Sequence, residues 1–106
     1  MSPGRLDELN EFLRQDPDDP FTHYAIALEY VSMKKFPEAI AKFDEVIELD
    51  ANYVAAYHQK GLLLAGLNRK DEALRTLEKG IQIAALVGDT HAQGEMQEAI
   101  DGLGND

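Results

Sequence analysis

The chain has 106 residues and a mass of 11.8 kDa, room for one domain with a usable core and no second one. Twenty acidic against ten basic side chains leave a formal charge of −10, which repels phosphate backbones and anionic lipid surfaces and so argues against nucleic acid and membranes as partners. The absence of cysteine removes disulfides, thiolate nucleophiles and thiolate metal sites, and a cytoplasmic location is the expectation it suits.

The apolar residues recur at helical spacing, and no segment sustains the alternation of a strand. The spacing predicts a first helix over 3–15, with Leu6, Leu9 and Leu13 on one stripe and Asp7 and Glu8 at its start, where carboxylates complement the helix dipole. Asp16-Pro17-Asp18-Asp19-Pro20 ends it and opens a second helix over 20–33, which stops before Lys34-Lys35. A third over 36–49 carries Phe36, Ala39, Ile40, Phe43, Val46 and Ile47 at i, i+3, i+4, i+7, i+10 and i+11. Asp50-Ala51-Asn52 breaks the chain again. A fourth helix is predicted over 54–67, a fifth over 70–87 and a sixth over 89–103, separated by Asn68-Arg69 and Gly88-Asp89.

One period of 34 residues runs through all six helices. It pairs His23 with Tyr57, Ala27 with Gly61, Leu28 with Leu62, Ala39 with Ala73, Phe43 with Leu77 and Ile47 with Ile81. Upstream, Leu6, Leu9 and Leu13 fall one period before Ile40, Phe43 and Ile47. Downstream, His91 and Met96 fall one period after Tyr57 and Leu62. The segments are thus a half-repeat over 1–19, full repeats over 20–53 and 54–87, and a further half-repeat over 88–106.

This period and these residues resemble the tetratricopeptide repeat. In that family a small residue on the first helix of a repeat meets an alanine on the second, a pattern matched by Ala27 with Ala39 and by Gly61 with Ala73. Lys60 departs from the pattern, and so do Ala51 and Ala85, which stand where proline is common. The resemblance implies an all-α fold, an α-solenoid of helix-turn-helix repeats wound as a superhelix, in a single domain over 1–106. Arg5, Glu95 and Glu98 stand where the repeat uses small or apolar residues, so the terminal helices are expected to act as polar-faced caps.

Chemistry finds little support. His23 and His91 share a repeat phase and are expected at packing positions, and no HExxH or comparable ligand spacing exists, so neither a metal nor another cofactor is expected. Gly61 to Gly66 has the glycine spacing of a phosphate loop but continues Leu67-Asn68 without its lysine, inside a predicted helix. The carboxylate pairs lie at helix starts and solvent-facing positions. An enzyme is not expected.

The resemblance further implies that the first helices of successive repeats line a concave groove. Carried over position by position, that groove would include Phe21, Tyr24, Leu28, Val31, His58, Leu62 and Met96, an apolar lining on an otherwise acidic protein. The expected function is binding of a protein or peptide partner of apolar or basic-apolar character. Two alternatives stay open: a homodimer that uses the groove or a cap face, and a short superhelix closed on itself, in which these residues are core.

Overall fold

A computed structural model of the chain describes residues 4–104. Among them stand six α-helices and no strand: α1 (Arg5–Gln15), α2 (Pro20–Ser32), α3 (Phe36–Leu49), α4 (Val54–Gly66), α5 (Lys70–Val87) and α6 (Thr90–Leu103). Every boundary lies within two residues of the one that apolar spacing predicts. None of these helices is long and apolar enough to cross a membrane. The helices form two compact units, one up to Ala51 and one from Asn52 onward.

In the first unit α1 packs on α2 and α2 on α3. The start of α2 is set by Pro20, whose fixed φ suits the first turn, and by Asp19, whose carboxylate accepts from the Thr22 amide at 3.3 Å and from the Thr22 hydroxyl at 2.6 Å. Leu9, Ile26, Ala27, Ala39, Phe43 and Val46 are buried, together with Thr22 and His23. The α2–α3 turn closes through Lys34, at φ 60°, with the Lys34 amide donating to Val31 O at 3.0 Å and the Lys35 amide to Tyr30 O at 2.9 Å.

The second unit repeats that turn one period later. Asn68 takes φ 62°, its amide donates to Ala65 O at 3.0 Å, and the Arg69 amide donates to Leu64 O at 2.9 Å. The 34-residue period is therefore written in the backbone as well as in the side chains. Asparagine tolerates the left-handed conformation better than lysine does, so the two turns differ in strain although not in geometry.

Small residues let the helices of the second unit approach closely. Ala73 is fully buried, but the residue that needs Gly61 to be small is Leu77: a methyl group at Gly61 would lie 2.5 Å from Leu77 Cδ2. One turn on, a methyl group at Gly80 would lie 2.6 Å from Met96 Sδ and 2.8 Å from Tyr57 Cβ, so α4 and α6 both press on α5 there. Leu77, Ala84, Ala92 and Met96 form one buried cluster, flanked by Ile81, Ile100 and Leu103.

Helix α5 runs four residues longer than α3. Asp50 ends α3, whereas the equivalent residue, Ala84, has the highest helix propensity and lets α5 continue until Gly88 closes it at φ 80°. The added turn leaves Leu86 and Val87 exposed.

Candidate functional site

Four of the groove residues expected from the sequence lie on α2. Phe21 and Leu28, two turns apart, are 63% and 39% exposed, and Tyr24 and Val31 between and beyond them are half-buried. The Tyr24 ring is held by Phe43 of α3, with centroids 6.0 Å apart and planes tilted by 55°. Its burial raises the phenol pKa above the ordinary 10. The α2 face thus offers two accessible apolar side chains beside an amphipathic ring.

In the second unit, α4 carries Leu62 one period after Leu28. It is 42% exposed, close to Leu28, with His58 and Ala65 half-buried on the same face. Met96 continues the row by repeat phase, but its side chain is fully buried. The expectation that Met96 lines an accessible surface is therefore corrected: α6 turns Met96 onto Gly80, where the missing side chain leaves room for the thioether.

The histidines also separate. His23 is buried as expected, and it is tied down by polar contacts that apolar periodicity does not reveal. Its Nε2 lies 2.7 Å from Pro17 O, and because a carbonyl oxygen only accepts, the proton sits on Nε2. Nδ1 is then free to accept from Lys42 Nζ at 3.1 Å, and Lys42 in turn reaches Glu45 at 3.2 Å. This chain of contacts binds the α1–α2 connection to α2 and α3. His91 corrects the other half of the expectation. It lies in solvent with Nε2 3.3 Å from Glu95 Oε1, because α6 buries the face bearing Ala92 and Met96 instead.

Charged groups elsewhere serve helix ends. The Asp19 carboxyl is held below its ordinary pKa, first by the Thr22 hydroxyl and then by backbone amides of the helix start. Glu72 is likewise lowered by its hydrogen bonds from Arg69, which is raised in return, and the pair closes the start of α5. Among the described residues, no three histidine, aspartate or glutamate side chains converge where a metal ion would sit.

Known proteins share this helical-repeat fold. The family model for the TPR repeat matches residues 27–68, and that for the tetratricopeptide repeat matches residues 54–85. The solution structure of a tetratricopeptide repeat domain protein from Salinibacter ruber is 37% identical, with 86% of this chain and 93% of that one covered and a TM-score of 0.80. The TPR2B domain of yeast Sti1, in its pHsp70 complex, is 25% identical, with 93% and 79% covered and a TM-score of 0.87. The Hsp70-Hsp90 organizing protein 2 of Arabidopsis thaliana is 26% identical over 80 residues, which are 76% of this chain and 14% of that protein's length.

Proposed function

The chain belongs to the tetratricopeptide-repeat family, and from that premise we propose that it is a non-catalytic protein-interaction module whose exposed first-helix faces take up a partner peptide or helix. The observation that carries this reading is the accessible pair Phe21 and Leu28 on α2, set beside Tyr24 on a protein of charge −10. Apolar side chains left in water at regular helical spacing gain free energy when a partner covers them, and an aromatic with a polar tip suits such a contact. The yeast relative in its pHsp70 complex supports peptide binding as a task for this repeat.

The chemistry of the faces sets the class of partner. Helix α2 contains no lysine or arginine, and the named face residues of α4 are His58 and Leu62. A peptide rich in carboxylates needs charge-assisted donors to hold it. The α2 face has no permanent cation for that purpose, so an apolar or basic-apolar peptide is the fitting ligand.

Titration with matched peptides tests the reading. An apolar-basic peptide is expected to shift amide resonances of α2 or α4, and Leu28→Glu is expected to abolish those shifts while helical circular dichroism is retained. Tighter binding of an acidic peptide overturns the partner chemistry. If Leu28→Glu unfolds the protein, Leu28 belongs to the core and the assigned face is wrong.

A further inference from the structure

His23 is a buried titratable side chain that the exposed apolar faces do not use. Its helix, α2, packs on α1 and α3, and what each neighbour brings to the ring differs. The α1–α2 connection supplies the Pro17 carbonyl to Nε2, and Leu9, the buried residue of α1, carries no charge. Asp16 and Asp18 of that connection are exposed. Asp19, four residues before His23 in the chain, acts on the ring by charge while its carboxylate is engaged by Thr22. Helix α3 brings two groups of opposite charge to Nδ1: Lys42 Nζ at 3.1 Å and Glu45 Oε2 at 3.5 Å. Lys42 also reaches the other oxygen of that carboxylate, at 3.2 Å. Nδ1 thus faces a donor and an acceptor at once, and its own protonation decides which one it can use.

We propose that His23 is a pH-operated latch between α2 and α3, which exchanges Lys42 for Glu45 when Nδ1 takes up a proton. With Nδ1 bare, the ring accepts from the Lys42 ammonium. With Nδ1 protonated, imidazolium and ammonium repel each other at that separation, and the ring donates to Glu45 instead. The second proton enters opposite Nε2, so the bond to Pro17 is kept in both states and only the α3 partner changes. Lys42 and Glu45 stand one turn apart on α3, so rotation of their side chains completes the exchange without moving a helix. Histidine suits this task because its charge changes near neutral pH, where lysine and glutamate keep theirs.

Side-chain nitrogen-15 spectra of the full chain between about pH 8 and about pH 4.5, with circular dichroism of the same samples, test this. His23 is expected to titrate while the helices remain intact, with Nε2 protonated throughout and Nδ1 passing from the accepting to the protonated form. Glu45→Gln removes the charge that holds the imidazolium and should lower the titration midpoint of His23 by about half a pH unit, whereas Lys42→Met removes the cation that opposes it and should raise the midpoint by about as much. Glu45 is half in solvent, so Glu45→Gln is expected to fold normally. His91, in solvent beside Glu95, serves as the internal reference and should respond to neither variant. A general change in structure or net charge would move both histidines together, which separates it from the latch. The proposal is overturned if His23 in the natural chain stays singly protonated until the helices melt, if Glu45→Gln leaves its midpoint unchanged or raises it, or if the midpoint of His91 moves as far as that of His23.

Discussion

Gly80 on α5 lies directly under Met96 of α6, so close that a methyl group there would stand 2.6 Å from the sulfur. The thioether is flexible enough to yield, but the same methyl group would also meet Tyr57 Cβ at 2.8 Å, next to the backbone of α4. Glycine in mid-helix costs about 1 kcal/mol relative to alanine, and here close packing of three helices offsets that cost. Gly80→Ala is therefore expected to destabilise the protein by about 1–3 kcal/mol despite its better helix propensity. An unchanged or raised urea midpoint would contradict the packing described.

The two left-handed turns make a paired prediction. Lys34 and Asn68 share one conformation, at φ 60° and 62°, but a Cβ-bearing lysine is strained there by about 1 kcal/mol. Lys34→Gly should raise stability by about 0.5–1 kcal/mol, since relief of strain exceeds the entropy that glycine adds to the unfolded chain. Asn68→Val should lower it by about 1–2 kcal/mol. Thermal unfolding of both variants checks the turn geometry, and a stabilising Asn68→Val would refute it.

Buried His23 is expected to hold its proton on Nε2, facing Pro17 O at 2.7 Å. Nitrogen-15 correlation spectra of the side chain report the tautomer, and a ring with its proton on Nδ1 alone would disprove the contact. His23→Phe keeps the packing volume but leaves the Pro17 carbonyl and Lys42 ammonium without this partner. A loss of about 1–2 kcal/mol is expected.

Asp19 links stability to pH. Its folded pKa is lowered below 3.8 by the Thr22 hydroxyl and the helix-start amides, so its contribution is fully present above the unfolded value and is lost as pH falls through the folded one. The melting temperature of Asp19→Ala should lie below that of the natural chain at pH 7, and the gap should narrow as the pH drops below about 3.8. A gap that stays constant into strong acid would show that the ionised carboxylate does not cap α2.

Helix positions and breaks were legible in the sequence because they depend on local chemistry. Asp50 stops α3, Gly88 stops α5, and Lys34 and Asn68, one period apart, turn the chain the same way. The exposure of Leu28 and Leu62 at one repeat position is also a matter of phase. Repeat phase fixes the angle at which a side chain leaves its helix, but burial depends on whether another helix lies in that direction. Met96 and His91 share α6 and obey the same period, yet Met96 is buried on Gly80 while His91 points to water. Phe12 likewise repeats the phase of buried Val46 and stays exposed. The contacts of His23 with Pro17 and Lys42 escaped the sequence for the same reason: they join residues 6 and 19 positions apart, brought together only when the α1–α2 connection folds back on α2 and when α3 packs on α2.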